Sequence, residues 1–202
     1  MAPGAAPPEG AAPGLPLFPL HTVLLPGGPL PLQVFEPRYL DMVARCMRTG
    51  DPFGVVRILA GREAGSVSAT AAIGTSARII DFHTQPNGLL GLMCLGERPF
   101  RLQSSARQAD GLLVGQVSWL PRHPGVPVPP QRLPLVRALR ERLPQRPPPY
   151  AQVAEDFADA EWVGYRLLEV LPVTLEQRQQ SLESHDPLQR LEWLASLLAT
   201  PP

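Results

Sequence analysis

The sequence contains no lysine, and all 18 of its basic residues are arginine. A nucleotide-binding P-loop needs a lysine that reaches the β- and γ-phosphates, and a serine–lysine peptidase needs one as its general base. Both kinds of site are therefore excluded from these 202 residues. Because 18 acidic residues balance the arginines, no net positive charge attracts a phosphate backbone or an anionic membrane surface.

Cysteine and long apolar runs are also scarce. Cys46 and Cys94 are too few for a disulfide framework and are not spaced as a Cys-x-x-Cys pair, so we expect two small buried residues. No apolar run approaches the roughly 20 residues that cross a bilayer. Residues 1–14 lack the basic start and apolar centre of a signal peptide. We therefore expect a cytoplasmic protein that makes no membrane contact and begins with a disordered Ala/Pro/Gly tail.

Proline, by contrast, is abundant, with 27 residues. Ten of them lie within residues 121–149, between a strand-like part of the chain and a helical part. This composition predicts a β domain over residues 15–120, a proline-rich connector over 121–149 and a helical subdomain over 150–202. Within the connector, Leu135, Leu139 and Leu143 share one face of a predicted short helix at 132–143.

The β domain is predicted from short apolar runs that are broken by turn residues. Asn87-Gly88 predicts a hairpin because both residues tolerate positive φ. Pro37 begins a predicted helix that ends at Gly50, and small residues up to Ala72 predict a mobile loop. The predicted strands are residues 15–20, 30–35, 53–58, 73–82, 89–95, 100–106 and 112–119.

The helical subdomain is predicted from three local patterns. An apolar stripe runs through residues 153–171 and stops before Pro172. Thr174 and Gln177 form a capping-box pair, and Asp186 caps a helix that begins at Pro187. Together these patterns predict a small helical bundle.

Several blocks of the sequence resemble Lon protease amino-terminal domains. LPLFPLHTVLLPGG at residues 15–28 and LPLQVFEPRY at 30–39 resemble the opening of that family, and residues 74–82, 96–102 and 119–121 resemble its later blocks. The resemblance covers about residues 15–198. It implies an α+β fold, with a PUA-like β pseudo-barrel that contains one inserted helix, followed by a small helical subdomain. We expect a stand-alone member without the ATPase and peptidase domains, and the use of arginine for every basic residue, with abundant Ala and Pro, indicates a GC-rich bacterial genome.

The segment EPRY at residues 36–39 places opposite charges and an aromatic ring at the start of a helix. Together with nearby apolar residues it would form an apolar patch with a charged rim, as in a peptide-recognition groove. A purely structural interpretation stays open, in which Glu36 favours the positive end of the helix and Arg38 is simply exposed. The candidate peptide-binding residues are Pro26, Phe35, Glu36, Arg38, Tyr39 and Arg98.

No pattern in the sequence indicates catalysis. Asp81 and His83 alternate onto one face of a strand, but no nucleophile accompanies them, so we expect two solvent-facing side chains. His21, His123 and His185 are scattered without metal-ligand spacing. We therefore predict no catalytic residue, no cofactor and no metal, and we expect that the protein is not an enzyme.

The resemblance implies a non-catalytic module that recognises protein or unfolded polypeptide. The alternative is an RNA-binding PUA-like module, although the neutral charge makes nucleic acid an unexpected partner. The sequence leaves the oligomeric state open. RNA binding would use the arginines Arg57, Arg62, Arg78, Arg98, Arg101 and Arg107.

Overall fold

The computed structural model describes residues 14–63, 67–143 and 153–199, so nearly all of the predicted tail at 1–14 lies outside the described residues. Seven strands and five α-helices occupy the described part of the chain, and the predicted α+β class is confirmed. In chain order they are β1 (Leu15–Leu20), β2 (Pro29–Val34), α1 (Pro37–Thr49), β3 (Phe53–Gly61), β4 (Val67–Thr70), β5 (Ile73–Thr84), β6 (Leu90–Arg107), β7 (Leu113–Trp119), α2 (Leu133–Arg142), α3 (Ala160–Val170), α4 (Leu175–Glu183) and α5 (Pro187–Ala199).

Five of the strands close into a ring, in the order β1-β7-β6-β5-β3 and back to β1. Leu17 of β1 pairs with Leu113 of β7 on one side and, in parallel, with Gly54 of β3 on the other. The interior is narrow, because a Cβ at Gly54 would lie 2.8 Å from the side chains of Leu15, Leu17 and Phe100. The pseudo-barrel is therefore filled by its own side chains, as expected for a small closed sheet.

β6 is one continuous strand of 18 residues, whereas the sequence predicted two strands at 89–95 and 100–106. Pro99 favours a break, but it pairs with Thr75 next to a register shift that places an extra residue on β6, where an irregular ladder tolerates a missing donor. The first third of β6 pairs with β2, and its later part pairs with β7. β6 therefore links the β2 side of the sheet to the ring.

One further local prediction is corrected, and the predicted hairpin at Asn87-Gly88 is confirmed with a different turn geometry. The predicted loop before Ala72 contains β4, which pairs antiparallel with the end of β3. At the β5–β6 hairpin, Gly88 has φ 79°, while no described residue other than glycine has positive φ. The Gly88 N–H donates to the Gln85 carbonyl, so the turn requires a left-handed residue only after Asn87.

The single helix within the β domain follows the prediction. α1 begins at Pro37 and ends before Gly50, which adopts the left-handed conformation at φ 77°. Met42 and Val43 of this helix are buried against the sheet together with Phe53. Because α1 covers this face of the sheet, it fixes the chain just before it, residues 35 and 36, at the end of β2.

In the last part of the chain, α3 begins at Ala160, so the stripe predicted to start at residue 153 is too long. The Asp159 carboxylate caps α3 by accepting from the backbone N–H of Glu161 and Trp162, which sets the start of the helix. The predicted capping box of Thr174 and Gln177 at the start of α4 is confirmed.

The helices pack on the barrel beside the turn between β1 and β2. Leu25 and Ile73 of the β domain share one apolar cluster with residues of α2, α3, α4 and α5. The Arg166 guanidinium is fully buried and donates to the carbonyls of Pro26 and Gly27. This guanidinium holds the β1–β2 turn against α3.

Candidate functional site

A groove with a volume of about 530 Å³ runs along β2. On one side β2 pairs with β6, and no described strand pairs with its other edge. The groove lies between β2 and the end of β1, and the segment that leads into α1 closes one end. Its lining consists of Phe18, Leu20, His21, Thr22, residues 30–36, Tyr39 and Glu63.

Three of the predicted binding residues, Phe35, Glu36 and Tyr39, line this groove. Phe35 is 55% exposed, which is unusual for a large apolar side chain. Tyr39 is only 5% exposed and stacks on Phe18 with the ring centroids 4.0 Å apart. Burial raises the pKa of the Tyr39 hydroxyl. Phe35 is thus an accessible contact, while Tyr39 forms the floor.

Arg38 lies behind the groove and holds its neighbours in place. Its Nη2 lies 2.7 Å from the Glu36 carboxylate, and its Nη1 donates to the Gly111 carbonyl at 3.0 Å. Its guanidinium carbon lies 4.7 Å from the centroid of the Tyr39 ring. These contacts orient the Glu36 carboxylate at the end of the groove.

The other two candidates lie elsewhere. Pro26 is buried in the β1–β2 turn, and its carbonyl accepts from Arg166 at 3.0 Å. Arg98 is exposed on β6, donates to the Leu120 carbonyl at 3.3 Å, and lies 5.6 Å from the Trp119 ring centroid. Neither residue lines the groove along β2.

Sequence reasoning missed His21, Thr22 and Glu63 as residues of the site. The Glu63 carboxylate accepts a hydrogen bond from the His21 backbone N–H and thereby joins the rim. Glu63 lies in a Gly/Ala/Ser-rich segment that carries no binding signal. The sequence signal for this site was the prolines of β2, because proline inside a strand indicates an unpaired strand edge.

Outside the groove, the described residues include exposed polar side chains and buried thiols. Asp81 and His83 are both exposed, as the sequence predicted. Within the described residues, no three His, Cys, Asp or Glu side chains form a group that could hold a metal ion. Cys46 and Cys94 are free and buried, which confirms the prediction, and burial raises the pKa of Cys94 to about 12.

The six arginines considered for RNA binding are mostly engaged within the protein. Arg57 pairs with Glu176 at 2.8 Å, and Arg78 pairs with Glu97 at 2.6 Å. Arg107 donates to the backbone carbonyls of Gly111 and Val67. Such intramolecular partners reduce the positive charge that is available to a phosphate backbone.

Among the residues described, none of the helices combines the length and the apolar character that crossing a membrane requires.

A closed strand ring with one inserted helix and an attached helical bundle defines the class of this protein as an α+β domain, and the groove lies at a free strand edge of that domain. The chain belongs to the family of the ATP-dependent protease La (LON) substrate-binding domain, whose model matches residues 14–200. The resemblance stated from the sequence is thereby confirmed.

Solved structures agree with this family. The chain is 42% identical to the Lon N-terminal domain protein from Xanthomonas campestris, covering 93% of this chain and 99% of that one with a TM-score of 0.76. The N-terminal domain of the Mycobacterium avium complex Lon protease matches with a TM-score of 0.62 at 17% identity, over 91% of this chain and 96% of that one, and shows the shared fold alone.

A curated relative matches over a shorter region. The chain is 29% identical to the protein cereblon of Danio rerio over 117 residues, which are 56% of this chain. The match covers 27% of cereblon, so the chain spans about a quarter of the length of this relative.

Proposed function

We propose that this protein is a non-catalytic recognition module that binds unfolded or partly folded polypeptide in the groove along β2. The observation that carries this proposal is an accessible aromatic side chain, Phe35, at the end of a groove beside an unpaired strand edge. The family description, a substrate-binding domain of a protease, supports protein as the ligand class.

The chemistry of the groove suits a peptide. Leu30 and Leu32 are partly buried and give it apolar walls, while Gln33 and Glu63 contribute polar groups at its rim. An apolar cleft with a few polar groups is the usual composition of a binding site. A volume of about 530 Å³ suffices for several side chains of an extended segment.

The groove also lacks the parts of a hydrolytic centre. Within the described part of the chain, its lining includes no serine or cysteine, and its hydroxyls come from Thr22 and from the buried Tyr39. The Glu36 carboxylate is engaged by Arg38 and not by a histidine. We therefore propose binding without turnover, and we do not favour RNA as the ligand.

The organisation and location follow from the same proposal. We propose a binding domain at residues 15–120, a connector at 121–149 and a supporting helical subdomain at 150–202. The helices share an apolar cluster with Leu25 and Ile73, which is evidence that they stabilise the β domain. We propose the cytoplasm as the location, because protein synthesis there produces incompletely folded chains.

The test is fluorescence anisotropy with a labelled, chemically unfolded polypeptide and the full chain. Phe35→Ala should weaken binding at least fivefold. Phe82→Ala is a matched control, because Phe82 is 56% exposed but lines a different pocket, beside Met47. Both side chains are exposed, so both variants should fold. Equal affinity of the two variants would rule out the groove as the binding site.

A further inference from the structure

The direction of the backbone groups of β2 follows from its first contact with β6. The Gly96 N–H donates to the Gly28 carbonyl at 2.8 Å. In an antiparallel ladder, every second residue directs its backbone N–H and C=O to the same neighbour. Leu30, Leu32 and Val34, which pair with Cys94, Leu92 and Leu90, therefore face β6.

The alternate residues of β2, Pro29, Pro31 and Gln33, consequently direct their backbone groups to the unpaired edge. Two of these three are prolines, which have no N–H. This edge thus presents three carbonyl acceptors and a single N–H donor, that of Gln33. Such an arrangement differs from an ordinary strand edge, where donors and acceptors are equally numerous.

The side chains at the rim of the groove also offer more hydrogen-bond acceptors than donors. Glu36 and Glu63 line the groove, and each can accept further hydrogen bonds through its second carboxylate oxygen. Arg38 is not part of the lining, and its guanidinium is largely covered by its contacts to Glu36 and Gly111. The groove lining described here contains no arginine side chain.

We propose that the groove selects extended polypeptide segments that combine apolar side chains with arginine or lysine, and that the backbone N–H groups of such a segment donate to the β2 carbonyls. This inference rests on the proposed function and names its ligand class. A cationic side chain supplies donors and charge to Glu36 and Glu63. Apart from the carbonyl that accepts from the Gln33 N–H, the carbonyls of the bound segment on this side remain solvated, because the prolines offer them no donor.

The test uses two labelled ten-residue peptides with the same apolar residues. One carries two arginines and the other carries two glutamates at the same positions. Anisotropy titration of the full chain at low salt should give at least tenfold tighter binding of the arginine peptide. Glu63→Gln should reduce this ratio about threefold. Glu192→Gln is the control, because Glu192 lies on α5 and pairs with Arg132.

A third peptide, the arginine peptide with N-methylated backbone amides at alternate positions, tests the donors. Its affinity should fall at least fivefold when the methyl groups face β2. Equal affinities of the arginine and glutamate peptides, both weakened by Phe35→Ala, would overturn the proposed ligand class and leave the recognition function standing. If neither the peptides nor the unfolded polypeptide bind, both the proposed ligand class and the proposed recognition function are overturned.

Discussion

The Tyr39 ring lies flat on the Phe18 ring, with the two planes 11° from parallel and the centroids 4.0 Å apart. Phe18 belongs to β1 and Tyr39 to the first turn of α1, so this contact joins the inserted helix to the barrel. The same two rings line the groove from below. The floor of the proposed binding site is therefore also part of the apolar core.

Truncation of Tyr39 should therefore lower the stability of the protein, because its ring belongs to the apolar core as well as to the floor of the groove. We expect Tyr39→Ala to lower the free energy of unfolding by about 3 kcal/mol, since it leaves a cavity beneath Phe18. Tyr39→Phe retains the stacked ring and should cost less than about 1 kcal/mol. Urea denaturation followed by circular dichroism measures both values. Similar stabilities of the two variants would show that the stacked ring contributes little.

Arg166 should be essential for attaching α3 to the barrel. Its buried guanidinium donates to Pro26, Gly27 and Glu169, so Arg166→Leu leaves buried acceptors without their donor. We expect a loss of about 3 kcal/mol or more in the free energy of unfolding. Arg137→Leu on the exposed face of α2 is the control and should change it by less than about 0.5 kcal/mol. Thermal denaturation compares the two, and equal melting temperatures would contradict this role.

Stability should fall at alkaline pH. Burial raises the pKa of Cys94 from 9.0 to about 12, and it also raises the pKa values of Tyr39 and Tyr165. Because the folded protein holds these protons more tightly than the unfolded chain, their contribution is complete below pH 9 and is lost as the pH rises towards 12. We expect a decrease of about 2 kcal/mol or more from Cys94 between pH 8 and pH 11.

Urea denaturation at the two pH values measures this decrease. The Cys94→Ala variant lacks the thiol and should show a smaller decrease than the parent. An equal decrease in both proteins would assign the alkaline effect to other groups.

The prolines of β2 should prevent two copies from pairing through this edge. Pro31→Ala adds an outward N–H donor next to that of Gln33, so the variant should self-associate more strongly than the parent as concentration rises. Pro172→Ala, in the exposed link between α3 and α4, removes a proline without altering a strand edge. Sedimentation velocity distinguishes them, and unchanged behaviour of Pro31→Ala would argue against edge protection.

Much of the fold could be predicted because its signals are local. Pro37 and Gly50 mark the ends of α1, and the side chains of Thr174 and Gln177 start α4. Pro99 shows where local signals fail, since pairing on both sides of β6 overrides its tendency to break a strand. Likewise, no local pattern marks the parallel pairing of β1 with β3, which depends on the whole sheet.

The site was predicted only in part for a similar reason. Phe35, Glu36 and Tyr39 are neighbours in sequence and remain so in the groove. Pro26 is also close in sequence, but Arg166, 140 residues later, holds it in a different contact. Glu63 reaches the rim from beyond β3, and nothing in its own segment indicates this.

The ring has a consequence for how the protein is made. β1 pairs with β3 through residues such as Leu17 and Gly54, whereas its pairing with β7 joins Leu15 to Gly115. At about 5 to 20 residues per second, a ribosome needs several seconds to synthesise the segment between those two partners. During that interval the β7-facing side of β1 stays open on the nascent chain. Until β7 is made, that edge can pair with another emerging chain, and closure of the ring removes it.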